Sequence, residues 1–227
     1  MVLCQWIKAI FSPKTTDKEE DLVVKYLIIG LGNIGSEYQK TRHNIGFDAL
    51  DKLAKQEGIP FKNDQLGDIA EFKHRGRSII LLKPNTYMNL SGKAVRYWVQ
   101  KLKIQPNHWM VVVDEFQFEI GVFKIQKKGS SGGHNGLKSV EDLMQGSTYP
   151  RLRIGIGHDF YRGQQVDYVL GNWTDEQWKE MQPVLESVCD AIRSFASIGL
   201  DKTMNQFNSR KAGGNGDSDM GKIQQKP

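Results

Sequence analysis

Two short apolar runs, each closed by small or polar residues, constrain the fold of this 227-residue chain most. Residues 23–29 are apolar except for Lys25 and are rich in β-branched side chains, and Gly30 and Gly32 follow them. Residues 109–113 form a second run, which Asp114 closes. Runs of this length and composition, ended by turn residues, predict buried strands. Asp114 is therefore expected at the carboxyl end of a strand.

Helical patterns alternate with strand patterns along the rest of the chain. Helices are predicted over residues 47–56, 89–103 and 137–144, and from a capping box at Thr174 and Gln177 as far as Gly199. Further strands are predicted as a hairpin within 69–83 and as runs over 122–127 and 152–156. The alternation predicts a single α/β domain, with a mixed, twisted β-sheet surrounded by α-helices.

The two ends of the chain differ in composition from the part between them. Apolar residues near the N-terminus follow the spacing of an amphipathic helix: Leu3, Trp6, Ile7, Ile10 and Phe11. No charged region precedes them and no small-residue cleavage site follows, so a signal peptide is not expected. We expect residues 1–24 to be an extension and linker that packs on the domain or on a surface. Residues 25–208 should form the folded domain, and residues 209–227, poor in large apolar side chains, a disordered tail.

Charge and cysteine content narrow the class of partner. The formal charge is +5, and residues 120–163 contain seven basic side chains against three acidic ones. A basic excess beside a Gly-rich loop favours an anionic partner such as phosphate or nucleic acid, although an ordinary soluble surface stays an alternative. Cys4 and Cys189 form no CxxC pair, and the histidines show no metal-ligand spacing, so a reducing compartment and no metal are expected. No apolar run approaches the roughly 18 residues that span a bilayer.

Three asparagines in turn-like or Gly-rich settings, Asn33, Asn89 and Asn135, indicate a site when they are taken with His43 and Asp114. Amide side chains at the ends of elements can hold a peptide group and a water by neutral hydrogen bonds. If Asp114 reaches His43 across the carboxyl edge of the sheet, the pair can act as a general base. The alternatives left open are that His43 and Asn89 serve in helix caps and that Asp114 is a turn residue.

Two glycine motifs admit other functions. GLGNIG follows a strand as a dinucleotide-binding turn would, but no helix begins inside it and no acidic strand end follows about 20 residues later. GSSGG fits the nucleophile elbow of a serine hydrolase, with Ser131 as nucleophile, but the expected order of acid and histidine downstream is missing. Its consecutive glycines suit a phosphate-binding loop beside Lys127 and Lys128, or simple flexibility.

Several segments in this order resemble the bacterial peptidyl-tRNA hydrolase family: YLIIGLGNIGSEYQKTRHNIGF, LLKPNTYMNLSGKAV, VVVDE, KKGSSGGHNGLKS and RLRIGIG. The resemblance covers roughly residues 25–208, which would be the catalytic domain. It implies hydrolysis of the ester between a peptide and tRNA by a monomeric, cytoplasmic, metal-free α/β enzyme that needs no cofactor. Its partner would be tRNA, with no DNA and no obligate protein partner.

The resemblance also implies roles for individual residues. His43 would activate the hydrolytic water, Asp114 would orient and polarise His43, and Asn33 would distinguish blocked from free aminoacyl-tRNA. The remaining residues matched to substrate or tRNA contacts are Asn89, Asn135, Tyr38, Tyr87 and Arg153. The lysine expected to clamp a terminal phosphate falls on Gln126, with Lys127 and Lys128 beside it.

Departures from the family pattern occur near the predicted site. Ile34 stands where the family usually has proline, and residues 115–120 replace a segment that usually carries a second aspartate and a proline. Two other functions stay open: an RNA-binding protein of the same fold without hydrolysis, and a serine hydrolase that uses Ser131.

Overall fold

A computed structural model describes residues 23–161 and 163–208 of the chain. The predicted amphipathic helix with most of its linker, the predicted C-terminal tail, Cys4 and Arg162 lie outside the described residues. Those predictions therefore stay predictions.

Seven strands form one mixed sheet. They are β1 (Lys25–Gly30), β2 (Lys62–Asp64), β3 (Gly67–His74), β4 (Arg77–Pro84), β5 (Trp109–Glu115), β6 (Phe123–Gln126) and β7 (Arg151–Gly155). The spatial order is β2-β3-β4-β1-β5-β7-β6. The four central strands β4, β1, β5 and β7 run parallel, whereas β2, β3 and β6 pair antiparallel to their neighbours.

Six α-helices connect or flank these strands in the described residues. They are α1 (Ile45–Glu57), α2 (Ser91–Lys101), α3 (Asn135–Met144), α4 (Gln165–Leu170), α5 (Asp175–Ile198) and α6 (Leu200–Phe207). The predicted capping box at the start of α5 is present, because Thr174 accepts from the backbone of Gln177 and the Gln177 side chain accepts from Thr174.

The side chains of β1 divide the core into two layers. Tyr26 and Ile28 face a cluster with α1, α5 and α6, whereas Leu27 and Ile29 face a second cluster with α2 and α3. Successive side chains of a strand point to opposite faces, so a strand that is apolar at every position must be covered on both sides. This layering confirms the predicted α/β class with a mixed sheet surrounded by helices.

Both outer strands of the sheet are short. β2 has three residues, all of them exposed, and β6 has four. The Asn208 side chain pairs with the β6 edge, accepting from the N–H of Ile125 and donating to its carbonyl, both at 2.8 Å. An amide side chain thus occupies the position that the backbone of a further strand would take.

The predicted elements are present, with boundaries shifted by a few residues. The hairpin is β3 and β4, the strand before Asp114 extends through Glu115, and the helix after Asn89 begins at Ser91. The sequence pattern did not predict β2, α4 or α6. β2 is too short and too polar to show alternation, and α4 is too short to show a helical period.

Candidate active site

A cavity of about 380 Å³ opens at the carboxyl ends of β1 and β5. The carboxyl ends of parallel strands are where α/β folds usually form their ligand sites. Eight of the residues singled out from the sequence line this cavity: Asn33, His43, Tyr87, Asn89, Asp114, Ser131, Asn135 and Arg153. The chain thus brings all three asparagines, the histidine and the aspartate to one place.

His43 is held against Asp114 as predicted. Its Nδ1 lies 3.1 Å and 3.0 Å from the two carboxylate oxygens of Asp114, which is almost fully buried. His43 lies in a 3-10 turn, Arg42–Asn44, directly before α1. Gly46 lets that turn approach the strands, because a Cβ there would lie 2.5 Å from the Leu31 carbonyl and 2.6 Å from that of Val112. Only a residue without a side chain fits so close to two backbones.

His134 is a second histidine bound to Asp114, and it was not predicted from the sequence pattern. Its Nε2 lies 2.9 Å from Asp114 Oδ1, while its Nδ1 accepts from the N–H groups of Gly136 and Leu137 at the start of α3. Because Nδ1 accepts, the proton of neutral His134 is on Nε2 and is donated to Asp114. The G-G-H-N-G context at a helix start was the available signal, since a histidine there can cap the helix.

The protonation of Asp114 and that of His43 are both shifted by their surroundings. Burial alone would raise the pKa of Asp114, but the charges of His43 and His134 and their hydrogen bonds lower this pKa well below its usual range. Burial lowers the pKa of His43, but attraction to Asp114 and their hydrogen bond outweigh this effect, so the His43 pKa lies above 6.5. The site therefore contains an ionised carboxylate and an imidazole of increased basicity.

His43, Asp114 and His134 also form a group in which a metal ion could be considered, because one ligand atom from each lies within 4.8 Å of the others. The hydrogen bonds argue against a metal here. A metal on Nε2 of His134 would require the proton on Nδ1, where two backbone N–H groups already point. The arrangement suits a hydrogen-bonded proton relay better than a cation.

Asn33 is fixed by the residue that follows His43. The Asn44 side chain accepts from the Asn33 N–H at 2.8 Å and donates to the Asn33 carbonyl at 2.9 Å. The Asn33 side-chain oxygen accepts from the Met88 N–H at 2.8 Å, which leaves its NH₂ group for the cavity. Asn44 thus ties the asparagine at the end of β1 to the histidine turn, a role that the sequence alone did not indicate.

Asn89 and Asn135 lie at the starts of the two helices on the other face of the sheet. Asn89 belongs to a 3-10 turn, Met88–Leu90, and Asn135 is the first residue of α3. Neither Asn89 nor His43 occupies a helix N-cap position, so the capping alternative for them is wrong. Both asparagine side chains are exposed at the cavity and can bind a ligand there.

Comparison with known proteins identifies the family of this chain. The family model described as peptidyl-tRNA hydrolase matches residues 27–214. The chain belongs to this family. A peptidyl-tRNA hydrolase of Cytophaga hutchinsonii is 52% identical over 188 residues, covering 83% of this chain and all of the relative. One of Bacteroides fragilis is 49% identical, covering 82% of this chain and all of that protein.

A solved structure supports the same membership. The crystal structure of peptidyl-tRNA hydrolase from Acinetobacter baumannii has a TM-score of 0.77 and 35% sequence identity, covering 82% of this chain and 96% of that one. The predicted family and fold are therefore confirmed. The relatives are matched over their whole length, while part of the present chain extends beyond them.

Arg153, which family resemblance assigns to tRNA, is largely withdrawn from solvent. Its guanidinium pairs with Glu115 and donates to the Ser130 carbonyl at 2.7 Å. Arg151, fully buried, donates to the same carbonyl at 3.2 Å. The two arginines therefore hold the Gly-rich loop in place. Arg153 also lines one side of the cavity.

Of the remaining residues expected at a tRNA contact, Lys127, Lys128 and Tyr38 lie outside the cavity. Lys127 and Lys128 are exposed on the surface beyond β6, and Lys127 lies 3.3 Å from Asp201. Tyr38 is half-buried in a 3-10 turn, Ser36–Tyr38, and its carbonyl accepts from the Thr41 hydroxyl. Tyr87, by contrast, lines the cavity and is 55% exposed. Of the two tyrosines, Tyr87 therefore borders the reactive groups and Tyr38 does not.

Ser131 lines the cavity but lacks the surroundings of a serine nucleophile. No histidine in residues 23–161 or 163–208 makes a hydrogen bond to its hydroxyl, and both nitrogens of nearby His134 are already engaged. A serine needs an adjacent base to become nucleophilic at neutral pH. The geometry gives the serine-hydrolase alternative no support.

Proposed function

We propose that this chain hydrolyses the ester bond of peptidyl-tRNA and releases free tRNA and a peptide, so that tRNA from aborted translation can be used again. The observation that carries the proposal is the contact between His43 and Asp114 in a cavity lined by three asparagines. A general base beside neutral amides suits an ester that carries a peptide group. Membership of the peptidyl-tRNA hydrolase family supports the same reaction.

In the proposed reaction His43 is the general base. Its Nδ1–H donates to Asp114, so the opposite nitrogen, Nε2, is free to take a proton from water. The resulting hydroxide attacks the ester carbonyl, and its carbon becomes tetrahedral. The C–O bond to the tRNA ribose then breaks, and the protonated His43 returns the proton to the departing oxygen.

Neutral amides stabilise the charge that develops on the carbonyl oxygen. Asn135 begins α3, where the helix dipole adds positive potential, and its NH₂ group can donate to that oxygen. Asn89 lies on the adjacent turn at the same cavity and can bind the peptide backbone. Asp114, paired with two histidines, stays ionised and stabilises the imidazolium formed when His43 accepts the proton.

Asn33 would select blocked substrates. Its NH₂ group donates to a carbonyl, such as that of the peptide bond next to the ester. A free aminoacyl-tRNA has an ammonium group in that position, which offers no acceptor and leaves the amide unpaired. Sites built to hydrogen-bond a group reject analogues that lack it.

For tRNA we propose a contact surface that extends from the cavity to exposed residues outside it. Lys127 and Lys128 would meet phosphates, Tyr87 and Tyr38 would contact nucleotides, and Arg153 would contribute from the cavity side. The exposed positions of both lysines support this assignment, with Lys127 the weaker candidate because Asp201 lies beside it.

We further propose that residues 25–208 are the catalytic domain and that the enzyme acts as a monomer in the cytoplasm. It would bind no DNA and would need no cofactor, metal or obligate protein partner. No helix in the described residues is long and apolar enough to cross a membrane. The N-terminal extension would pack on the domain or on another surface.

A turnover assay with N-acetylaminoacyl-tRNA tests the reaction. Wild type should release N-acetyl amino acid and free tRNA at the same rate with and without a chelator. His43→Ala should lower kcat by about 10² to 10⁴ while binding tRNA normally, and His74→Ala on the distant hairpin should leave kcat unchanged. Tight tRNA binding by wild type without cleavage would replace the proposal with an RNA-binding function.

A further inference from the structure

Arg42 directly precedes His43 and is buried, with 8% of its surface exposed. Its backbone N–H donates to the Gly171 carbonyl at 3.0 Å, and an isolated bridge joins Thr41 to Asn172. The turn that carries His43 is therefore tied to the segment at the end of α4.

The side chain of Arg42 strengthens this connection. One Nη donates to the Tyr168 carbonyl at 3.3 Å and the other to the Gln177 side chain at 2.9 Å. The guanidinium carbon lies 4.4 Å from the ring centroid of Tyr168 and 5.4 Å from that of Trp173, within the range of cation–π attraction. We call Arg42 with these two aromatic rings the Arg42 clamp.

The charge of Arg42 has no carboxylate partner in the described part of the chain. The arginine ion pairs there belong to Arg151, Arg153 and Arg193, and the Nε of Arg42 is buried without a hydrogen bond. Burying a cation without an opposite charge is costly, and an apolar residue would fill the same space at lower cost. Stability alone thus gives a weak reason for an arginine here.

The opposite side of α4 faces the cavity. Val166, Val169 and Leu170 line it and form an apolar wall. A helix of six residues is not stable by itself, so its position depends on tertiary contacts. Tyr168 supplies these contacts, through the Arg42 clamp and through its hydroxyl, which donates to the Ile156 carbonyl at 2.8 Å.

We propose that Arg42 is a positioning residue that fixes the apolar wall of α4 relative to the His43 imidazole. The inference rests on the proposed hydrolysis, since both surfaces would face the peptidyl ester. Arg42 does not line the cavity, so it acts through Tyr168 on one side and through the backbone of the next residue on the other. A displacement of about 1 Å between a substrate wall and a catalytic base can cost about 10² in rate.

A double-mutant cycle tests the clamp with N-acetylphenylalanyl-tRNA as substrate. Arg42→Met and Tyr168→Leu should each lower kcat roughly tenfold, with a smaller change in KM, because contacts to tRNA lie elsewhere. The double variant should lose clearly less than the product of the two single losses, since both substitutions remove the contact between the Arg42 guanidinium and the Tyr168 ring. Losses that multiply in the double variant would overturn the inference.

Two further variants keep the test decisive. Gly171→Ala would push a methyl group to 3.0 Å from the Arg42 guanidinium and should lower kcat even if Arg42→Met does not fold. Arg193→Met removes bonds to Gln56 and Glu57 far from the cavity and should lower the melting temperature without lowering kcat. If wild type cleaves while Gly171→Ala and any folded Arg42→Met retain full kcat, the inference fails alone; if wild type does not cleave, the proposed function fails.

Discussion

At the scale of single residues, Asp114 binds two histidines that are not equivalent. His134 has its proton fixed on one nitrogen by the start of α3, whereas the Nε2 of His43 makes no hydrogen bond within the described residues. Only His43 can therefore exchange a proton with a bound water. The second histidine keeps the carboxylate oriented and ionised, so the basicity of His43 depends on a residue that touches no substrate proton.

The dependence of activity on pH should report this pairing. His43 must be neutral to act as a base, and its pKa is raised by Asp114, so kcat/KM should rise with pH around a midpoint above 6.5. Asp114→Asn removes the charge that raises the pKa, so the midpoint should fall while the maximal rate drops. A pH–rate profile of both proteins measures this, and an unchanged midpoint in the variant would contradict it.

His134 should matter for both stability and rate. His134→Ala removes a helix cap, worth about 1 kcal/mol, and one of the hydrogen bonds that hold Asp114. We expect a lower melting temperature and a lower kcat. Ser131→Ala, three residues earlier in the same cavity, should leave both the melting temperature and kcat unchanged. Labelling of wild type by a serine-directed phosphonate would instead support a nucleophilic serine.

At the scale of elements, the sequence pattern predicted the main strands and helices but did not predict individual hydrogen bonds and ion pairs between them. The central parallel strands are short, unbroken apolar runs and the long helices have apolar residues at helical spacing, so both could be recognised. The hydrogen bonds of Asn44 to Asn33 join residues 11 apart through a tight turn, and no periodicity encodes such a contact. For the same reason the pairing of Arg153 with Glu115 was not foreseen, because it depends on the register between β5 and β7.

Helix α1 contains a carboxyl group, that of Asp48, which should make the protein's free energy of unfolding depend on pH. Burial, and then the charge of Asp51, raise the pKa of Asp48 to about 7, and one of its oxygens is buried without a hydrogen bond. The folded state thus holds this proton at pH values where the unfolded chain has lost it, so the free energy of unfolding falls as pH rises from about 4 through 7.

Asp48→Asn should remove this dependence. The variant should unfold at a higher denaturant concentration than wild type at pH 8, by up to a few kcal/mol in unfolding free energy, and at about the same concentration at pH 4. Urea titrations at the two pH values measure the difference. Asp142→Asn, on the exposed side of α3, is the control, and an equal gain at both pH values would rule out titration of Asp48 as the cause.

At the scale of the whole molecule, basic side chains should attract tRNA from one side. Charge reversal at Lys128 should raise KM and make the decrease of affinity with salt shallower, because fewer counterions are released on binding. Lys127→Glu should act in the same direction but less, since Asp201 already offsets its charge. Lys62→Glu, on β2 at the opposite edge of the sheet, serves as control. An unchanged salt slope in the Lys128 variant would remove that lysine from the interface.

The two outer strands determine how this sheet behaves at high concentration. Unpaired backbone groups on a long, flat edge can template cross-β growth. Here one edge strand, β2, has only three residues, two of them charged. The backbone of the other edge strand, β6, is hydrogen-bonded to the amide of Asn208. Asn208→Ala would expose the Ile125 backbone, and we expect light scattering to reveal faster fibril-like assembly of this variant than of wild type.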